Sequence, residues 1–256
     1  MTLHFHMQTL IAALDIPAGC RVDQRVPKKL LLENGAQTAA DKRQINDGIE
    51  ELWWLATLKP TTIGVPEYRD TAREYLEIVT LRLRLRAGAN AQRLVELVHR
   101  AVPYPALLLT EQQTWIGLSV AHKRWALNEA GKTVLDGAPL AVTWQLEQAS
   151  PHWPAFQTAL PLNRQPTSTL HALYQGWSDT LLALKAAQIT GELKPADDRR
   201  QAMERQEALD EYQRLDGMIV KLRAVAAKEK QIARQVELNL EIKRLEAARA
   251  AVMAKL

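Results

Sequence analysis

Six histidines, one cysteine and a scatter of carboxylates are the residues of this chain that could do chemistry, and their spacing decides how much. His4, His6, His99, His122, His152 and His171 contain no H-x-x-x-H pair, the spacing that puts two imidazoles on one helix face for a metal. His4 and His6 are close enough to chelate, but they sit at a terminus, where fraying is the ordinary state. Cys20 stands alone, which excludes an internal disulfide and a cysteine-built zinc site and suits a reducing compartment. A serine nucleophile wants a tight strand-to-helix turn of the G-x-S-x-G kind, whereas Gly117-Leu118-Ser119 falls inside a strand pattern. A restriction-type nuclease needs an Asp and then Glu-x-Lys on neighbouring strands, to hold a metal and activate water. Asp70 followed by Glu77-Ile78-Val79 has the acids without the lysine, and Asp136 followed by Glu147-Gln148-Ala149 fails in the same way. Neither G-x-x-x-x-G-K nor G-x-G-x-x-G occurs. These residues predict no catalytic centre, no metal and no cofactor, and they leave a nuclease as the least supported of the functional readings.

The cations are better organised. Arg82, Arg84 and Arg86 alternate with Leu81, Leu83 and Leu85, so a strand here turns aliphatic side chains to one face and guanidinium groups to the other. Such a row can track a phosphate backbone, with Lys123 and Arg124 beside it. An exposed sheet face also carries charge simply to discourage edge-to-edge pairing. A second concentration runs from Arg21 to Lys29 and supplies Arg25, Lys28 and Lys29 as a solvated turn or as a phosphate- or partner-contacting patch. The net charge of +4 and pI near 9.2 permit a nucleic-acid partner without requiring one.

The elements that must position these residues centre on Glu74 to Trp125, which reads strand, helix, strand, strand. Apolar parity is even at Leu76 and Ile78 and odd from Leu81, so a β-bulge is expected near Val79–Thr80. Asn90 is a plausible N-cap for a helix to about Ala101, with Leu94, Val95, Leu97 and Val98 inward. Pro103-Tyr104-Pro105 stiffens the entry to an apolar strand, Ala106 to Thr110. A turn at Glu111–Gln113 leads to a return strand, Thr114 to Ala121, with Ile116, Leu118 and Val120 inward, and Pro139 to Glu147 adds another. Before this stretch, Met7 to Leu14 and Asp41 to Leu55 read as helices and Thr61 to Val65 as a short β-rich run. Ser150 to Pro166 holds four prolines and reads as a surface connector. The seven Trp are mainly core and interface material.

From Thr167 the pattern is helical. Leu170, Leu173, Tyr174, Trp177 and Leu181 form an apolar stripe, and from Ala196 to Leu256 there is no proline and one glycine, Gly217. Leu215, Met218, Leu222 and Val225, then Ile232, Val236, Ile242, Leu245 and Val252, are the expected assembly positions. The two runs are out of phase across Lys228 to Leu240, which fits either a helical hairpin or a stutter in one long helix. Residues 192–220 carry eight acids and five bases, and residues 221–256 four acids and nine bases, so antiparallel pairing of the two halves is electrostatically favoured. The fold class expected is α+β: a mixed domain over 1–166 with a mainly antiparallel sheet, then a helical, coiled-coil-like region over 167–256.

The order of several boxes adds a resemblance. Arg25-Val26-Pro27-Lys28, Glu51-Leu52-Trp53-Trp54, Val102-Pro103-Tyr104-Pro105 and the Lys230-Gln231 … Val236-Glu237-Leu238-Asn239 segment together resemble a bacterial domain-of-unknown-function family, number four-three-nine-one. The resemblance covers nearly the whole chain. It implies a mixed α/β domain with a helical C-terminus, and a gene setting beside DNA helicases and DNA methyltransferases in restriction-like or phage-defence clusters. It supplies no catalytic residue. The expectation is a non-enzymatic accessory subunit of a DNA-targeting defence system, acting through its helices on itself or on a helicase or methyltransferase. The alternative is direct DNA binding through the arginine face. The N-terminus lacks the basic flank and apolar run of a secretory leader, and no apolar run approaches membrane-spanning length, so a cytoplasmic protein with no membrane association is expected.

Overall fold

A computed structural model describes residues 7–127, 129, 131–146, 151–196 and 198–256. The chain forms two compact units, Met1–Leu181 and Leu182–Leu256. The division between these units falls inside a helix, Leu170–Thr190.

The first unit opens with α1 (Met7–Ala13), β1 (Arg21–Arg25), α2 (Lys28–Asn34), α3 (Ala39–Gly48), β2 (Ile49–Leu58) and α4 (Pro60–Ile63). It continues with β3 (Tyr68–Arg69), β4 (Glu74–Tyr75), β5 (Ile78–Leu85), α5 (Ala91–Ala101), β6 (Ala106–Gln112) and β7 (Trp115–Val120). Then come β8 (Lys123–Trp125), β9 (Thr133–Leu135), β10 (Leu140–Gln145), α6 (Trp153–Ala159) and α7 (Leu170–Thr190). Six strands make one sheet in the order β1-β2-β5-β6-β7-β10. All neighbours are antiparallel except β5 and β6, which run parallel because α5 carries the chain back over the sheet.

The expected helix from Asp41 to Leu55 is half right. Thr38 caps α3 by accepting from the Asp41 N–H, but the helix stops at Gly48. Ile49-Glu50-Glu51-Leu52-Trp53-Trp54 then pairs with β5, because bulky aromatic and branched residues fit a pleated, half-buried surface. Thr61 to Val65 is likewise not a strand; α4 is a single turn ending at Gly64 in the left-handed region. The bulge expected near Val79–Thr80 is not in β5, which runs regularly against β6; the irregularity opposite it is on β2, where Leu55 is the extra residue between Trp54↔Leu81 and Ala56↔Thr80. The parity change along β5 has another cause. Ile78 and Thr80 are buried on one face and Val79, Leu81, Leu83 and Leu85 on the other, so this strand is covered twice at its start and once at its end.

One sheet face carries Leu52, Leu81, Leu83, Leu85 and Leu108 and is covered by α2, α3 and α5 through Leu31, Ile45, Leu94, Leu97 and Val98. Each such fully buried aliphatic side chain contributes roughly 2 kcal/mol of transfer free energy. Asn90 does cap α5, accepting from the Arg93 N–H. The other face is buried at β6, β7 and β10, where Ile116, Leu118, Val120, Val142 and Trp144 turn inward as expected. Part of the proline-rich connector does this covering. α6 buries Trp153 and Phe156, whose rings lie 6.0 and 5.4 Å from that of Trp144. The β6–β7 turn is at Gln113–Thr114. His4, His6 and Glu147, with the last residue of the expected 139–147 strand, lie outside the described residues.

The second unit contains the rest of α7, then α8 (Arg199–Ala226) and α9 (Ile232–Met253). The open question of one helix or two is resolved as an antiparallel hairpin. Ile219, Leu222 and Ala226 of α8 meet Leu238, Ile242 and Leu245 of α9. Their alternating four- and three-residue steps keep them on one stripe of each helix, as in a coiled-coil seam. Two ion pairs of opposite polarity cross the hairpin: Arg223 of α8 pairs with Glu246 of α9 at 2.6 Å, and Arg249 of α9 with Asp216 of α8. Among the described residues no helix is long and apolar enough to cross a membrane.

Candidate functional site

The arginine row has three fates. Arg82 and Arg84 do stand on the open part of the sheet face, but Glu111 and Glu51 stand with them. Glu111 accepts from Arg82 Nη2 at 2.7 Å and from Arg84 Nε at 2.8 Å, and Glu51 from Arg84 Nη1 at 2.8 Å. Strand register dictates this, since Glu51, Arg84 and Glu111 occupy one row across β2, β5 and β6. The Trp53 indole N–H bonds Glu51 at 3.0 Å, and that bond first, then Arg84, holds the carboxyl below its usual range. Hydrogen bonding to Glu111 raises the Arg84 guanidinium further. Two arginines and two glutamates sum to zero, so this patch offers little field to a phosphate.

Arg86 instead joins Arg25 and Lys28. Burial, then the charges of Arg86 and Arg25, push the Lys28 amine below its ordinary value. The three cations collect at the end of α3. Lys28 Nζ donates to Asn46 O at 3.1 Å and Arg86 Nη1 to Asp47 O at 3.3 Å. The Ile49 N–H satisfies Ile45 O, and the Arg86 N–H satisfies Gly48 O. All four final carbonyls of α3 therefore have donors, and cations sit at the negative end of the helix dipole. Pro27 does start a helix at Lys28 and Lys29, and Lys29 is exposed beside Glu33.

Lys123 and Arg124 do not extend the row. Successive strand residues point to opposite sides, so the two cannot share a face. Lys123 is 1% exposed, and its ammonium donates to His99 O and Val102 O at the C-terminal end of α5. Burial lowers its pKa to about 7. It is an interior helix cap and reaches no surface ligand. Arg124 faces Asp136 at 3.7 Å in the separate β8–β9 ribbon.

The acids weighed for a nuclease are engaged elsewhere. Asp70 accepts from Tyr68 Oη at 2.8 Å and from the Ala72 and Arg73 amides, and Glu77 pairs with Lys59 at 3.3 Å. No group of three His, Cys, Asp or Glu side chains converges among the described residues.

A cluster that the sequence did not announce joins Tyr75, His122, His171 and Tyr174. Tyr75 Oη lies 2.6 Å from His122 Nδ1, and His171 stacks on Tyr68 at 4.8 Å. Arg73 reaches His171 at 3.4 Å and Asp136 at 3.1 Å. Tyr174 Oη accepts from the Ala121 N–H and donates to Ala106 O, both at 2.8 Å. Burial raises both phenols, Tyr75 and Tyr174, so they remain donors. These contacts tie β4, β6, the end of β7 and α7 into a joint. The single local signal was His171 and Tyr174 three residues apart on one helix face.

In the second unit the nine expected assembly positions divide. Leu215 is buried, and Leu222, Ile242 and Leu245 build the hairpin seam. Val252 is half-buried. Met218, Val225, Ile232 and Val236 are exposed, Ile232 at 78%. Leu240 joins Ile232 and Val236 on the face of α9 opposite the seam, four residues apart along the helix.

A family model described as a domain of unknown function (DUF4391) matches residues 14–248. No curated protein and no solved structure matches the chain.

Proposed function

The chain belongs to the family of the domain of unknown function DUF4391, and on that premise we propose that it is a non-enzymatic accessory subunit of a bacterial DNA-targeting defence system, assembling through its C-terminal hairpin. The observation that supports this is the stripe Ile232, Val236 and Leu240, exposed on α9 while the opposite face already forms the seam. A helix needs one apolar face to hold a hairpin; a second one in water favours a partner. On this reading the partner is a DNA helicase or DNA methyltransferase of the same system, in the cytoplasm, with self-association as the other possibility. The test is light scattering and affinity capture with Ile232→Ser/Val236→Ser/Leu240→Ser. The expected result is loss of the helicase or methyltransferase, or of the higher mass, with unchanged helical circular dichroism. Retention of both assemblies by the variant refutes the proposal.

A second reading, direct DNA binding, is favoured by the convergence of Arg25, Lys28 and Arg86 rather than by the neutralised Arg82–Arg84 row. Arg25→Glu leaves both α3-capping cations in place. It should weaken a salt-dependent DNA shift and reduce its salt slope by about one phosphate contact; an unchanged slope removes this reading.

A further inference from the structure

We propose that the exposed stripe of α9 is covered by α9 of a second copy of this chain, running antiparallel, so that two hairpins close into a four-helix bundle. The inference rests on the reading that the hairpin assembles the chain, and it names the occupant of the stripe. The hairpin is thinly held. α9 runs for 22 residues and has one buried residue, Ile242. A helix packed on one neighbour needs a single apolar stripe, and a helix inside a four-helix bundle needs two. Ile232, Val236 and Leu240 are 78, 52 and 54% exposed and supply the second.

The face matches itself in size. Continued along the helix it runs Ile232, Val236, Leu240, Lys243, Ala247 and Ala251, all exposed and three or four residues apart. Its first half is bulky and its last turns are short. A parallel copy would set isoleucine against isoleucine and leave alanines facing each other across a gap. An antiparallel copy in one register sets Ile232 opposite Ala251, Val236 opposite Ala247 and Leu240 opposite Lys243. Large side chains over small ones let two helices approach closely. At the centre the Lys243 stem lies over Leu240 and its ammonium leaves beside Asn239. Charge fits the same register. Glu237 and Arg244 flank one side of the stripe, and the two-fold brings Glu237 of each copy beside Arg244 of the other, about 3 Å apart along the axis, two residues of rise. Along its own helix Glu237 faces Arg234 at 3.3 Å and Arg244 faces Glu241 at 3.5 Å, exposed pairs that hold little in water, so both side chains can turn across. The other flank carries the neutral Gln235 and Asn239, with Glu246 already paired to Arg223. A foreign partner has no reason to match the two halves of α9 to each other; a second copy does.

Sedimentation equilibrium of the purified full chain, with helical circular dichroism alongside, tests it. The native chain should be a dimer at tens of micromolar. Glu237→Arg and Arg244→Glu each set two like-charge pairs across the two-fold. Each should raise the dimer dissociation constant at least about tenfold, with helix content unchanged. Mixing the two variants, or combining both changes in one chain, puts opposite charges back at both contacts and should restore the dimer. The proposal is overturned if the native chain is a monomer, if either variant alone dimerises as the native chain does, or if the mixture or the combined chain stays monomeric. A monomeric native chain that still captures a helicase or methyltransferase through Ile232, Val236 and Leu240 overturns this inference alone and leaves the accessory reading standing.

Discussion

Replacing Lys123 by methionine tests whether a buried amine holds the end of α5. Methionine keeps the length and the apolar stem of the side chain, so packing is largely retained. What is lost is the donor to His99 O and Val102 O, two carbonyls that the helix cannot satisfy at its own C-terminus. Each buried acceptor left without a donor costs about 1–3 kcal/mol, so a total of roughly 2–6 kcal/mol is expected for the two. For a unit of this size that lowers Tm by roughly 4–24 °C. The pH dependence is the more specific signature. The native amine titrates near 7, and the unfolded one near its ordinary 10.5. Between those values the unfolded chain carries a proton that the native chain lacks, so stability rises with pH, by at most about 1.4 kcal/mol per unit. Two carbonyl acceptors favour the ammonium and pull against burial, which keeps the slope below that ceiling. Above pH 10 the buried Tyr75 and Tyr174, raised by burial, reverse the trend, because unfolded phenols ionise first. Urea unfolding followed by tryptophan fluorescence at pH 7, 8.5 and 9.5 reads this cleanly, since all seven Trp lie in the first unit. The deficit of Lys123→Met should widen as pH rises. A native curve flat from pH 7 to 9.5 would mean that the ammonium survives burial, and an unshifted midpoint for the variant would refute the capping role.

The acid side has its own reporter. His99 titrates near 3 when folded against about 6.5 unfolded, so native stability should fall as pH drops from 6.5 towards 4.5, above the carboxylate range. His99→Phe should flatten that stretch of the fluorescence-monitored curve, and an unchanged slope would place the effect elsewhere. In the second unit, Ile242 is 7% exposed in the hairpin seam, and Ile242→Ala should cost about 2–4 kcal/mol in the helical circular-dichroism transition. A variant that melts with the native chain would show that the seam is not what holds the hairpin.

Much of the architecture was legible because period and chain punctuation agree. The Leu–Arg alternation of β5, the Asn90 cap, the apolar face of α5 and the alternation Leu140, Val142, Trp144 all survive into the structure. Asp41 to Leu55 failed because Ile45, Ile49 and Leu52 match a helical period while the tertiary pairing of β2 with β5 overrides it. The ion pairs of the arginine face were hidden from the sequence for a different reason. Parity along one strand shows which way a side chain points and says nothing of the strand beside it. Glu51 and Glu111 lie 33 and 27 residues from Arg84, and only the register across three strands makes them neighbours. Lys123 sits beside Arg124 in sequence and on the opposite side of a strand in space. The tail was undecidable from period alone, and the apolar seam with the cross-helix pairs Arg223–Glu246 and Asp216–Arg249 resolves it as a hairpin.

Arg249 looks like an interruption in the apolar run of α9, yet it lies in line with the seam, 5.7 Å from the Tyr212 ring and paired with Asp216. Its consequence is a registration mark. Heptad seams are nearly self-similar, and two helices can slide by seven residues and still bury leucines. Sliding α9 one heptad in one direction would set Arg249 against Arg223, and in the other against the buried Leu209. The first slip opposes like charges and the second strands a guanidinium on an aliphatic side chain. One basic residue in the seam therefore singles out the alignment in which the exposed stripe of α9 is held at one fixed height along α8.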